Sequence, residues 1–88
     1  MTTDDVKQVL KTPYKPLALV ALSYVNLTDR EQSLLILRFI RGKTQQEAAE
    51  ELNCTVNGLQ KWEKTALDKC RKAWEKMIFI REILNSAR

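Results

Sequence analysis

Side chains that can form paired hydrogen bonds with nucleic-acid bases lie close together between residues 56 and 64. On a helix through this stretch, the outward positions are Val56, Asn57, Gln60, Lys61 and Lys64. Asparagine and glutamine can bond adenine through two hydrogen bonds, lysine can donate to guanine or phosphate, and valine can contact a thymine methyl group. This set of residue types therefore favours contact with base edges in the major groove of DNA.

The composition excludes most catalytic chemistry. Among 88 residues there is no histidine, and glycine occurs only at Gly42 and Gly58. The chain therefore has no His-based triad, no His-ligated metal and no glycine-rich phosphate loop. Cys54 and Cys70 are too few for a secreted disulfide scaffold, so we predict that both are reduced thiols. We predict no enzyme activity, no metal and no cofactor.

The net charge of +4 is unevenly distributed. Residues 53–76 contain six basic and three acidic side chains, whereas residues 28–52 contain four basic and five acidic ones. The positive charge lies where a DNA-contacting helix needs it, and the acidic segment could face a protein instead. The acidic N-terminus is unlike a signal peptide, and the apolar run of residues 17–22 is too short to span a bilayer. We expect a cytoplasmic protein of a bacterial or phage-infected cell, with no membrane partner.

Helix start and stop signals predict an all-α fold in one domain. Capping boxes at Thr28 and Thr44 begin two helices, and Gly42 ends the first of them in a left-handed conformation. A longer helical pattern follows, with a break expected around residues 72–76. Its apolar stripe consists of Leu59, Trp62, Ala66, Cys70, Ala73, Met77, Ile80 and Leu84. We predict an N-terminal arm over residues 1–16, interrupted by prolines, and a helical domain over residues 17–88 that includes an apolar helix at residues 17–25.

Residues 45–62 fit a helix-turn-helix, in which two helices cross over a short turn. We assign its structural core to four residues: Ala49, Leu52, Leu59 and Trp62. Asn53 suits the left-handed position of the turn, and Thr55 is a favourable N-cap for the second helix. The alternative is a helical hairpin that only packs.

The helix-turn-helix hypothesis divides the polar residues into two groups. Asn57, Gln60 and Lys61 are expected nearest the bases, with Val56 beside them. Six residues are expected to contact phosphates: Arg41, Lys43, Thr44, Gln45, Thr55 and Lys64. The free backbone N–H groups at residues 44–46 also suit a phosphate.

Residues 27–72 resemble the C-terminal domain of bacterial sigma factors. The similar residues are Leu27-Thr28-Asp29-Arg30-Glu31, Leu35, Leu37-Arg38-Phe39, Gly42, Thr44 through Ala49, Leu52, Trp62-Glu63, Ala66-Leu67, Lys69 and Arg71. The resemblance implies binding to the minus-35 promoter element and to the β-subunit flap of RNA polymerase, as in stand-alone phage or mobile-element regulators with this domain. Phage-repressor (Cro-type) and LuxR-type domains share parts of the pattern and remain alternatives.

The tail at residues 73–88 is apolar on more than one face. It could fold back on residues 17–25, form a homodimer through the C-terminal helix, or dock on polymerase. We therefore predict a sequence-specific DNA-binding transcriptional regulator that contacts double-stranded DNA. The alternatives are a module that binds RNA polymerase or a sigma or anti-sigma partner, and a small-terminase-like subunit of phage DNA packaging.

Overall fold

A computed structural model describes residues 1–87, with side chains described for residues 1–86. Within this range the chain forms six helices and no strand, which confirms the all-α prediction. The helices are α1 (Thr3–Leu10), α2 (Lys15–Ser23), α3 (Asp29–Leu35), α4 (Gln45–Glu51), α5 (Val56–Trp74) and α6 (Ile78–Ala87), and α3 continues into a π-helical turn at Ile36–Ile40.

Threonine N-caps begin four of these helices. Thr28 and Thr44 form the two predicted capping boxes with Glu31 and Glu47. Thr2 forms a third box with Asp5, and the Thr55 hydroxyl accepts a hydrogen bond from the backbone of Gly58 at the start of α5. In each case one side chain satisfies a backbone N–H that has no partner within its own helix.

The π-helical turn ends at the predicted glycine. Gly42 has a φ of 72°, which is the left-handed region that a residue without a Cβ adopts at little cost. The backbone N–H of Lys43 then donates to the carbonyl of Leu37 at 2.9 Å. This geometry turns the chain sharply between α3 and α4.

Residues 1–16, assigned from the sequence to an arm, contain a helix that packs into the core. Val6, Val9 and Leu10 of α1 are at most 1% exposed. Their spacing of three and one places them on one face, which contacts α2, α5 and α6. The prolines leave a shorter bridge than expected, because Pro16 lies in the first turn of α2, where a missing N–H costs nothing.

The buried face of α5 differs from the predicted stripe. Within α5, Trp62 and Ala73 are only partly buried, whereas Glu63, Leu67 and Trp74 are buried. Met77, the next stripe residue, follows the end of α5 and is also only partly buried. The buried side of α5 changes along its length because the helix packs against α3, α4 and α1. The Trp74 indole is fully enclosed, and its Nε1 donates to the carbonyl of Ala21 at 2.9 Å.

The long helix breaks after Trp74, within the predicted interval, and α6 begins at Ile78. The tail does not fold back mainly on residues 17–25, because α6 packs chiefly against α1 and buries Ile80, Ile83 and Leu84. Its contact with the end of α2 includes an edge-on pair of the Tyr24 and Phe79 rings, 6.2 Å apart. The last predicted tail residue, Arg88, lies outside the described residues. No helix over residues 1–87 is both long enough and apolar enough to span a bilayer.

Candidate nucleic-acid interface

Helices α4 and α5 form the predicted helix-turn-helix. The turn between them contains Asn53 in the left-handed conformation, with a φ of 54°. The N–H of the next residue, Cys54, donates to the carbonyl of Ala49 at 2.9 Å, which satisfies a carbonyl at the end of α4. Ala49 and Leu59 are buried where the two helices meet, and Leu52 is half-buried.

Arg30 covers the far side of the helix-turn-helix. Its guanidinium lies 4.2 Å from the centre of the Trp62 ring and donates to the carbonyl of Leu52 at 3.1 Å. Trp62 is therefore a half-buried residue between α3 and α5 and not a fully enclosed core residue. A second link between these helices is the ion pair of Lys69 with Glu31, at 2.8 Å.

The outward face of α5 brings together most of the predicted base-contacting residues. Asn57, Gln60, Lys61 and Lys64 are exposed, and their spacing places them along one side of the helix. Val56 differs, because it is half-buried and packs against the core. A concavity of about 450 Å³ beside Gln60 and Lys64 is also lined by Thr3 and Lys7, so α1 borders this face.

Four polar side chains form a hydrogen-bonded chain from the π-helical turn to this face. Arg38 donates from Nε to Oε1 of Glu63 at 2.6 Å and from Nη1 to the carbonyl of Lys43 at 2.7 Å. Gln45 donates from Nε2 to Oε2 of Glu63 at 3.4 Å, and Gln60 donates from Nε2 to Oε1 of Gln45 at 3.0 Å. Gln45 therefore contacts α5 directly, in addition to being a candidate phosphate contact.

A groove rich in basic side chains lies next to this row of hydrogen-bonded side chains. It measures about 510 Å³ and is lined by Lys11, Lys15, Arg38, Arg41 and Lys43, together with Phe39, Ile40, Gly42 and Thr44. Of the five cations, only Arg38 has an ion pair with a carboxylate among the described residues. The groove therefore concentrates positive charge, and four of its five cations have no carboxylate within ion-pair distance among the described residues.

Two of the groove cations also support the fold locally. The Lys15 ammonium donates to the carbonyl of Ile40 at 2.5 Å, and the Lys11 ammonium lies 5.8 Å from the centre of the Phe39 ring. An ammonium has three donors, so both lysines keep donors for a further acceptor. These contacts position the α1–α2 bridge against the end of the π-helical turn.

The two threonines expected to contact phosphates act as N-caps. Thr44 accepts from the backbone of Glu47 at 3.1 Å, and Thr55 accepts from Gly58 at 3.1 Å. The backbone and hydroxyl of Thr44 lower the pKa of Glu47, so this carboxylate stays charged beside Lys43. Each threonine hydroxyl still has its own proton to donate, because capping uses only its oxygen.

Sequence reasoning missed four polar residues of this surface: Lys11, Lys15, Arg38 and Glu63. For Glu63 a signal existed, because it lies four residues after Leu59 and three before Ala66, which is a buried position on the helix. For Lys11 and Lys15 there was no local signal, since their place in the groove depends on how α1 and α2 pack against the π-helical turn.

Comparisons with known proteins match the central part of the chain. The family described as Sigma-70, region 4 matches residues 25–72. The RNA polymerase sigma-G factor of Clostridium acetobutylicum is 41% identical over 46 residues, which are 52% of this chain and 18% of that factor. The chain thus spans less than a fifth of the length of this relative. No solved structure matches the chain.

The matched segment contains α3, the π-helical turn, α4 and nearly all of α5, and it leaves out α1, α2 and α6. The resemblance to sigma factors is thereby confirmed. Because the match covers more than half of the chain, including α4, the turn and nearly all of α5, the protein belongs to the Sigma-70 region 4 family.

Proposed function

We propose that this sigma-factor-like domain binds double-stranded DNA through α5 and acts as a non-catalytic, sequence-specific regulator of transcription. One observation supports this most directly: the exposed polar face of α5 lies beside a groove with several cations and no carboxylate in its lining. Phosphates neutralise such a surface, and amide side chains distinguish bases.

The roles divide between the two parts of this surface. Asn57, Gln60 and Lys61 contact base edges in the major groove, and the exposed part of Val56 contacts a thymine methyl group. Phosphate contacts come from the exposed or half-exposed residues around them: Arg41, Lys43, Thr44, Gln45, Thr55 and Lys64. Lys11 and Lys15 extend this group, because they line the same groove as Arg41 and Lys43.

Binding to a random-sequence duplex at low salt tests the DNA-binding face. We expect Lys61→Ala with Lys64→Ala to weaken binding strongly. The matched control is Lys72→Ala with Lys76→Ala, which removes two exposed lysines near the other end of α5. If the first pair of substitutions leaves DNA binding unchanged, or if both pairs weaken it equally, α5 does not enter the major groove of DNA through the assigned face.

A second candidate function is docking on a protein, such as RNA polymerase or a sigma or anti-sigma partner. Tyr14, Leu19, Tyr24 and Ile78 are large apolar residues between 47% and 72% exposed. The relative named above is an RNA polymerase sigma factor. If docking is the main function, Leu19→Ser with Tyr24→Ser abolishes co-purification with core polymerase, whereas Lys61→Ala with Lys64→Ala does not.

The oligomeric state separates the remaining alternatives. A homodimer through the C-terminal helix has limited surface available, because α6 buries Ile80, Ile83 and Leu84 within this chain and leaves Ile78 exposed. We propose a monomer that acts alone or with polymerase in the cytoplasm of a bacterial or phage-infected cell. Native mass spectrometry distinguishes it from a dimer, and a ring-shaped oligomer would support a DNA-packaging role.

A further inference from the structure

The chain of hydrogen bonds from Arg38 to Gln60 has only one consistent direction. We infer that it fixes the orientation of the Gln60 amide, so that Gln60 selects adenine while Gln45 and Glu63 act as positioning residues. This inference rests on the proposed DNA-binding function. It concerns which base is selected, and that depends on the polarity of side chains and not on net charge.

The donor-to-acceptor direction of each hydrogen bond follows from what each group can donate or accept. A guanidinium only donates and a carboxylate only accepts, so Arg38 must donate to Glu63. The second carboxylate oxygen can only accept as well, which requires Gln45 to direct its Nε2 towards Glu63. The Oε1 of Gln45 then points to Gln60, and Gln60 must use its Nε2 as the donor. No amide in the chain can turn over without placing two donors or two acceptors against each other.

Burial makes the first link of the chain firm. The side chain of Glu63 is 10% exposed and that of Arg38 is 20% exposed, so their pairing is shielded from water. An unpaired charge there is costly, which keeps both groups in place. Gln60 at the other end is exposed, so a partner outside the protein can reach it. The hydrogen bonds thus fix the orientation of the amide groups from the buried Glu63 to the exposed Gln60.

The outer edge of the Gln60 amide consequently presents its Oε1 next to the remaining N–H of Nε2. Adenine is the base whose major-groove edge has a matching donor and acceptor, at N6 and N7. Guanine presents two acceptors, so its O6 would face the Gln60 carbonyl oxygen. Turning the Gln60 amide to suit guanine would place two carbonyl oxygens together at Gln45, so the chain opposes that change.

The substitution Glu63→Gln reverses this direction while it preserves the shape of the side chain. Arg38 still only donates, so the new amide must offer it the oxygen and must direct its N–H groups towards Gln45. Gln45 then turns over and donates to Gln60, whose N–H groups now face outwards. Such an edge matches the acceptors of guanine or thymine. Glu50→Gln is the matched control, since it makes the same charge change at an exposed position of the same helix-turn-helix.

Selection from a randomised duplex, followed by comparison of base frequencies at each position, tests the inference. We expect wild type and Glu50→Gln to share one adenine position with a preference of about 5- to 150-fold. Gln60→Ala is expected to lose that preference, and Glu63→Gln to replace adenine with guanine or thymine. If Glu63→Gln does not fold, Gln45→Ala removes the link to Gln60 and leaves the Arg38–Glu63 pair in place, and it should weaken the same preference.

Two results would overturn the inference while the proposed function stands. One is that wild type binds DNA but Gln60→Ala loses no adenine preference at any position. The other is an adenine preference that neither Glu63→Gln nor Gln45→Ala alters. Failure of the proposed function looks different, because wild type itself then does not bind a random duplex at low salt. In the free protein, the side-chain amide NMR resonances of Gln45 and Gln60 should shift in Glu63→Gln and not in Glu50→Gln. If they are unchanged in both variants, the hydrogen bonds from Glu63 to Gln60 do not orient these amides.

Discussion

The basic groove predicts that the footprint on DNA extends beyond the segment shared with sigma factors. Lys11 and Lys15 lie outside residues 25–72, yet they line the same groove as Arg41 and Lys43. If both lysines bind phosphates, Lys11→Gln with Lys15→Gln removes two of the charges that displace counterions from DNA on binding. We therefore expect a smaller dependence of DNA affinity on salt in this double variant.

The size of the effect follows from the two phosphates that the variant no longer neutralises. Each neutralised phosphate contributes about 0.9 to the slope of log affinity against log salt, so the slope decreases by about 1.8. The advantage of wild type over the variant should therefore shrink by about tenfold between roughly 50 and 200 mM salt. Fluorescence anisotropy with one labelled duplex over this range measures both quantities.

A change in net charge alone must be separated from the removal of these two lysines from the groove. Lys72→Gln with Lys76→Gln removes the same charge, and Lys72 lies about 18 Å from Gln60 along the axis of α5. Circular dichroism checks that each variant stays folded, because Lys15 also donates to the carbonyl of Ile40. Equal slopes for wild type and the groove variant, or equal decreases in both variants, would refute the assignment of this groove to DNA.

Three further predictions concern the core that supports the interface. Trp74→Phe should lower the free energy of unfolding by about 1–3 kcal/mol in urea titrations, because it leaves a cavity and removes the indole donor from the Ala21 carbonyl, which keeps only the backbone N–H of Tyr24 at 3.3 Å. An unchanged free energy of unfolding would contradict the enclosed indole. Burial tends to raise the pKa of Glu31, but hydrogen bonds from Lys69 and Thr28 lower it overall. The charged Glu31 therefore stabilises the folded state at pH values above its unfolded pKa, and this stabilisation is lost as pH falls through its folded pKa. Glu31→Gln should consequently flatten the acid side of the stability–pH profile. Burial raises the pKa of Cys70 to about 12, so a thiol reagent should modify it only after unfolding, whereas the half-buried Cys54 should react in the native protein.

Local signals in the sequence were sufficient to place the helix ends around the interface. Thr28 and Thr44 form the predicted capping boxes, and Gly42 and Asn53 adopt the predicted left-handed conformation. Each of these features depends on atoms within a few residues along the chain. A threonine cap requires only the backbone N–H three positions later, and a left-handed residue requires only its own side chain to permit it.

The elements outside the family segment could not be placed in the same way. The pattern at Val6, Val9 and Leu10 predicts a helix but not its position, and only packing reveals that α6 covers it. Trp74 was off the predicted stripe because the buried side of α5 changes along the helix. In the fold its indole donates to the carbonyl of Ala21, which is 53 residues away along the chain, so no local pattern indicates this contact.

Glu63 shows why charge must be assigned to surfaces and not to stretches of sequence. Counted along the chain, Glu63 offsets one of the lysines of α5. In the fold it is buried and paired with Arg38, so between residues 56 and 64 the exposed charges are those of Lys61 and Lys64. The face of α5 is thus more positive than its sequence indicates, and the same carboxylate gives the Gln60 amide its direction. Because Glu63 is paired with Arg38, it does not offset the exposed lysines of α5, and through Gln45 it determines which base edge the helix can accept.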